Sequence, residues 1–205
     1  MKIAVYGATG NVGSRIVAEA VRRGHVVTAL SRNPGDVTAG IEWRHGDLAD
    51  TGDVSSVAAA HDAIVTANGP SRVPGEDPNA FVGLMRSVAG AVGSTRLVVV
   101  GGAGSLEASP GVRLFDLPEF PDAYKPEALA SAGVLAFLRA SDEALNWTYL
   151  SPAPEIGPGE RTGSYRTELD VPAGSWISYE DYAVALVDEL ENPTHQRARF
   201  TVATK

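Results

Sequence analysis

Lys2-Ile3-Ala4-Val5-Tyr6-Gly7-Ala8-Thr9-Gly10-Asn11-Val12-Gly13 is the stretch that decides the fold. An apolar strand runs into a glycine-rich turn and then into a helix. Gly7 lets the chain turn sharply off the strand, Gly10 leaves room for a phosphate against the backbone, and Gly13 lets the helix lie close to the sheet. The helix expected from Asn11 to Arg23 points its free N–H groups and its positive dipole end at the turn. That makes an anion site, and the expected anion is a dinucleotide pyrophosphate. The spacing, Gly-x-x-Gly-x-x-Gly, differs by one residue from G-x-G-x-x-G. A plain tight turn between strand and helix is the alternative. Context favours the nucleotide: a strand lies upstream, Val12, Ile16, Val17, Ala20 and Val21 share one helix face, and a second strand follows.

Outward from that motif, strands and helices alternate. Strands are expected at 2–6, 25–31, 41–45, 62–67, 96–101 and 146–151, and helices at 11–23, 53–60, 77–93 and about 123–141. The apolar runs Ala63-Ile64-Val65 and Leu97-Val98-Val99-Val100 suit central strands buried on both faces. The fold class is therefore α/β, a Rossmann-like doubly wound parallel sheet. Beyond Ser151, Pro152, Pro154, Gly157, Pro158 and Gly159 predict an irregular loop, and 161–178 reads as short strands and turns. Residues 152–178 form a small C-terminal cap on the substrate side of a single domain, 1–205. Ser178 and Asp181 resemble a capping box opening a helix from Tyr179 to about Glu191, and Arg199 to Ala203 reads as a last strand.

The chain has 205 residues, 44% hydrophobic and 20% charged, with a net charge of −8 and no cysteine. The size fits one well-buried domain. The negative charge argues against nucleic acid as a partner, because no basic surface would neutralise phosphates. Without cysteine there is no disulfide, thiolate metal site or cysteine nucleophile. The N-terminus enters the first strand directly and no run reaches ~18 apolar residues. A cytoplasmic protein without a membrane partner is expected.

A ligand in such a sheet sits at the carboxyl ends of the strands, near the switch point. Ala67-Asn68-Gly69 would line the middle of a dinucleotide, and Gly102, Ala103, Pro152 and Ala153 would flank its nicotinamide. The end of the second strand reads the adenosine ribose, where an NAD site usually places Asp or Glu. Here the sequence is Ala29-Leu30-Ser31-Arg32-Asn33, and the nearest acid, Asp36, lies beyond Pro34. Arg32 suits a 2′-phosphate, so NADP(H) is favoured over NAD(H); a solvated surface arginine is the alternative. Asp47, with Leu48 beside it, would meet the adenine, or would serve the start of the next helix together with Asp50 and Asp53.

Gly7-Ala8-Thr9-Gly10-Asn11-Val12-Gly13, Ser31-Arg32, Gly46-Asp47, Val100-Gly101-Gly102-Ala103-Gly104-Ser105 and Trp147-Thr148-Tyr149-Leu150-Ser151-Pro152 together resemble the atypical short-chain dehydrogenase/reductases of the NAD(P)H-binding, NmrA-like type. The resemblance spans nearly the whole chain and implies a dinucleotide laid along these loops. Relatives often carry a nucleoside-diphosphate-sugar epimerase or NAD-dependent epimerase/dehydratase label. Others reduce flavins or quinones, and some only sense the NADP redox state.

The short-chain dehydrogenase signature Tyr-x-x-x-Lys is absent: none of tyrosines 6, 124, 149, 165, 179 and 182 has lysine four residues on. The one interior lysine, Lys125, follows Tyr124 directly. By resemblance Lys125 would reach the nicotinamide ribose and Tyr124 the substrate, although adjacent helical residues do not point the same way. Ser105 sits roughly where the family keeps its catalytic serine, and a polar loop residue is the alternative. The segment 101–104 reads as a flexible loop for close cofactor approach. His25, His45, His61 and His195 lack metal-ligand spacing, and no G-x-S-x-G elbow occurs. Trp43, Trp147 and Trp176 read as core. The apolar loop from Leu114 to Pro121 would wall a small-molecule substrate pocket or form a contact with a second subunit.

These residues support an NADPH-dependent reductase of a small planar acceptor such as a flavin or quinone, since such hydride transfer mainly needs the nicotinamide held near the acceptor. A non-catalytic NADP(H) sensor that signals to a protein partner is the second reading. Sugar-nucleotide epimerisation is weaker, because it wants the Tyr/Lys pair and only about 55 residues follow the sixth strand.

Overall fold

The computed structural model describes residues 1–34, 40–71 and 76–205. Its elements, in chain order, are β1 (Lys2–Tyr6), α1 (Asn11–Arg22), β2 (Val26–Ser31), β3 (Ile41–His45), α2 (Thr51–Ala60), β4 (Ala63–Thr66), α3 (Ala80–Ala91), β5 (Arg96–Val100), β6 (Glu107–Ser109), β7 (Val112–Arg113), α4 (Lys125–Arg139), β8 (Trp147–Ser151), β9 (Glu155–Gly157), β10 (Tyr165–Glu168), β11 (Trp176–Ser178), α5 (Tyr179–Glu191) and β12 (Ala198–Thr204).

Eight strands form the main sheet in the order β3-β2-β1-β4-β5-β8-β12-β10. All neighbours are parallel except the edge pair β10 and β12. The chain steps outward from β1 to β2 and β3, then returns to the other side of β1 for β4. The switch point therefore lies between β1 and β4, which is where a doubly wound sheet leaves a crevice.

Strand alternation builds two cores. Ile3, Val5, Val65, Val98 and Leu150 face α1 and α5, meeting Ile16, Val17, Tyr182 and Leu186. Ala4, Tyr6, Ile64, Leu97, Val99 and Trp147 face the other way, onto Val54, Met85, Val134 and Leu138 of α2, α3 and α4. Each fully buried aliphatic side chain contributes roughly 1.5–3 kcal/mol.

The C-terminal third is stitched to the main body. β10 joins the main sheet, while β9 and β11 pair as a separate parallel ribbon. Half of the expected capping box forms: the Asp181 N–H donates to Ser178 Oγ at 3.0 Å. The Asp181 carboxylate does not reach back. It accepts from the Thr162 and Gly163 N–H groups, both at 2.8 Å, and so fixes the loop between β9 and β10. Arg161 in that loop pairs with Glu19 of α1. Helix α3 starts at Ala80, later than expected, because the Asp77 side chain accepts from the Asn79 N–H and holds 77–79 as a turn.

Candidate functional site

The turn after β1 is closed by its glycines. Gly7 has φ +77°, and a Cβ there would lie 2.8 Å from the Ala67 carbonyl oxygen at the end of β4. A Cβ on Gly13 would lie 2.1 Å from the Gly7 carbonyl oxygen, so α1 docks on the turn only with glycine at 13. No side chain caps α1, whose N-cap is Gly10. Its hydrogen-bond ladder begins with the Ser14 N–H donating to the Gly10 carbonyl at 2.9 Å. The N–H groups of Asn11, Val12 and Gly13 precede that ladder and are available to an anion.

Beside this turn lies a cavity of about 740 Å³. Gly7, Thr9 and Gly10 line it from the first turn, Ser31 and Arg32 from the end of β2, Asp47 and Leu48 from the end of β3, and Ala67, Asn68 and Gly69 from the end of β4. Residues expected from four separate stretches of sequence thus meet in one place. Thr9 Oγ1 and Ser31 Oγ are hydrogen-bonded at 3.1 Å, linking the first two of these turns. The Arg32 side chain is exposed and has no hydrogen bond or ion pair with any described residue. Asp36 lies outside the described residues. Helix α2 is capped by Asp50, which accepts from the Asp53 N–H at 3.0 Å. Asp47 is therefore spared that duty, and one of its oxygens accepts from the Ala49 N–H.

Sequence reasoning missed one wall. Ala80, Phe81 and Leu84 of α3 also line the cavity, as do Glu76 and Asp77 just before that helix. Their apolar spacing signalled only a helix. Tyr6 was also missed as a lining residue. Among the described residues neither its buried hydroxyl nor Asp53 Oδ2 has a hydrogen-bond partner, while Arg44 holds Asp53 through its other oxygen. Burial, and then the Asp53 carboxylate, push the Tyr6 phenol well above its ordinary value, so it stays neutral.

The other expected residues lie outside this lining. Asn11, Val12 and Gly13 form the helix start described above. Pro152 and Ala153 follow β8 and are buried, Ala153 within the core shared with α1 and α5. Gly102 and Ala103 are partly exposed after β5. The neighbouring glycines make close contacts within the protein. A Cβ on Gly101 would lie 2.0 Å from Tyr149 Cε1, and one on Gly104 2.7 Å from Ala128 Cβ of α4. Ser105 is buried, with its Oγ accepting from Arg199 at 2.9 Å, which fits a structural hydroxyl.

Tyr124 and Lys125 sit side by side where a short turn meets α4. Tyr124 ends a short 3₁₀ turn, Asp122–Tyr124, and is 57% exposed. Lys125 opens α4, and its Nζ sits 2.8 Å from Asp122. That ammonium holds the Asp122 carboxyl below its ordinary value. Phe115 of the apolar loop is buried beside Gly104. Of the tryptophans, Trp147 lies in the core beneath α2, α3 and α4, Trp43 is half-buried against the opposite core on the α1 and α5 side, and Trp176 departs from expectation: it is 39% exposed, its ring lying across Gly157. Among the described residues no group of three His, Asp or Glu side chains is placed to hold a metal, and no helix is long and apolar enough to cross a membrane.

Residues 7–193 match the sequence model of a family described as NAD(P)H-binding. The uncharacterized protein YwnB of Bacillus subtilis is 39% identical, with 100% of this chain and 99% of YwnB covered. A solved protein from Burkholderia pseudomallei, provisionally named as exported, is 45% identical over 99% of both chains, with a TM-score of 0.87. A Streptococcus pneumoniae structure, provisionally named an NADH-flavin reductase, is 37% identical over 100% of both chains, with a TM-score of 0.88. With the glycine turn, the crevice at the switch point and a family match across almost its full length, this chain belongs to the NAD(P)H-binding family.

Proposed function

We propose that this protein is an NADPH-dependent reductase of a small planar acceptor, a flavin or a quinone. The observation that carries the reading is the cavity at the switch point, with an unpartnered Arg32 at the end of β2. The residues present fit a dinucleotide: Gly7 and Gly13 admit no side chain, and the first N–H groups of α1 are unclaimed. Gly10, Asn11 and Val12 would hold the pyrophosphate, Arg32 the 2′-phosphate, and Asp47 and Leu48 the adenine. Ala67 to Gly69 would lie along the middle, with Gly102 and Ala103 toward the nicotinamide. The bound cofactor would supply hydride.

The chain's own task is then orientation, and a flavin or quinone takes its proton from solvent without a Tyr/Lys pair. The name of the Streptococcus relative supports the acceptor class. That name carries NADH, so the choice of cofactor turns on Arg32.

The test is consumption of NADPH and NADH by the purified protein against a panel of flavins and quinones, with both affinities measured. Turnover preferring NADPH supports the proposal, and turnover preferring NADH overturns the assignment of Arg32. The missing Tyr-x-x-x-Lys signature favours the second reading, a redox sensor that binds both NADPH and NADP⁺ tightly without turnover.

A further inference from the structure

The loop after β5 carries glycine at 101, 102 and 104, yet two buried hydroxyls of β8 hold both polar groups of one of its residues. The Gly102 N–H donates to Tyr149 Oη at 3.1 Å, and the Gly102 carbonyl accepts from Ser151 Oγ at 2.9 Å. The Tyr149 hydroxyl in turn donates a hydrogen bond to the Ser131 carbonyl of α4, also at 3.1 Å. Ser151 is fully buried and Tyr149 is 1% exposed. They stand two residues apart on β8, so strand alternation presents both on the same sheet face.

Glycine at 101 is what lets the Tyr149 ring pass beneath the loop. Burial pushes the Tyr149 phenol up, so it remains a neutral relay between the Gly102 N–H and α4. Packing of the ring against Gly101 would by itself need only phenylalanine. The hydroxyl adds a fixed place for Gly102 in a segment that glycine would otherwise leave loose.

We propose that Tyr149 and Ser151 are positioning residues that set the Gly102 peptide against the nicotinamide end of the bound dinucleotide. This rests on the proposed function, in which Gly102 and Ala103 flank that end. Neither hydroxyl touches cofactor. Each acts through the loop, which must be held closely to orient a reactive ring.

The experiment uses Tyr149→Phe and Ser151→Ala in the full chain, with Ser151→Ala as the milder change should Tyr149→Phe fail to fold. Affinities are measured for NADPH and for 2′,5′-ADP, which carries only the adenosine end, alongside amide exchange at Gly102. We expect NADPH to weaken about tenfold, the loss of one hydrogen bond, and 2′,5′-ADP to stay within about twofold. Gly102 should be protected in the native protein and exchange faster in Tyr149→Phe. Equal weakening of both ligands, unchanged NADPH binding, or an unprotected native Gly102 overturns the inference. A native protein that protects Gly102 but binds no NADPH would sink the proposed function, and this role with it, while leaving the clamp itself in place. Fast native exchange with NADPH binding intact would sink the clamp alone.

Discussion

Gly13 stands so close to Gly7 that a Cβ on it would lie 2.1 Å from the Gly7 carbonyl oxygen. The contact sets how closely α1 approaches the first turn, and with it the direction of the helix's free N–H groups. Gly13→Ala should destabilise the fold by about 1–3 kcal/mol, a typical cost of overpacking, and abolish measurable dinucleotide binding. Gly90→Ala is the control. A Cβ at Gly90 meets nothing within 4 Å, and the residue lies inside α3. It should gain about 0.5–1 kcal/mol from helix propensity. Urea unfolding and NADPH titration of both variants check the pair.

Arg32 is exposed and has no partner among the described residues, so its removal costs the fold little. A charged hydrogen bond to a phosphate is worth about 1.5–3 kcal/mol. Arg32→Ala should therefore weaken NADPH roughly 10- to 100-fold and NADH by less than about twofold, with an unchanged unfolding midpoint. Equal weakening of the two cofactors would remove the 2′-phosphate from the site.

The glycine turn and the apolar β-strands were legible because each is a local pattern: three glycines at fixed spacing, or buried residues in an unbroken run. β9 was not, nor was its pairing with β11, although short strands were expected over 161–178. Each is three residues long, and Glu155 finds its partner at Trp176 through a fold-level return that no local period announces. The same holds for Asp181. Its position after Ser178 suggested a cap, but the loop brought beside it presents two N–H groups that compete for the carboxylate and win. At the site, the residues on the four turns could be read from strand ends. The wall of Ala80, Phe81 and Leu84 could not, because its residue types also suit plain core.

Tyr124 is more than half exposed, and the neighbouring Lys125 is paired with Asp122. A phenol in that setting is a poor acid catalyst. Tyr124→Phe should lower kcat for flavin or quinone reduction by less than about threefold, against the roughly 10²–10⁴-fold loss expected for a true general acid. A steady-state comparison on one acceptor settles it, and a loss of roughly 100-fold or more, the size expected of a general acid, would restore Tyr124 to the chemistry.

Glu19 is 4% exposed on α1 and takes hydrogen bonds from Arg161, Arg22 and Arg23. The Arg161 bond foremost, then those from Arg22 and Arg23, hold its carboxyl far below the ordinary 4.5 despite the opposing cost of burial. A folded-state value below the unfolded one means that this stabilisation is complete above about pH 4.5 and is lost as pH falls from there toward the folded value. Glu19→Gln leaves three guanidiniums facing a neutral amide. Removing one side of a buried ion pair costs about 3–5 kcal/mol, and because Arg22 and Arg161 are partly solvated, at 52% and 37% exposure, the low end applies. The variant should therefore be about 3 kcal/mol less stable at neutral pH. The gap between variant and native protein should narrow steadily as the medium is acidified below about pH 4.5. Urea midpoints taken across that range check both the size and the sign. A gap that widened with acid would mean that the folded carboxyl titrates above the unfolded one, contrary to its three arginine contacts.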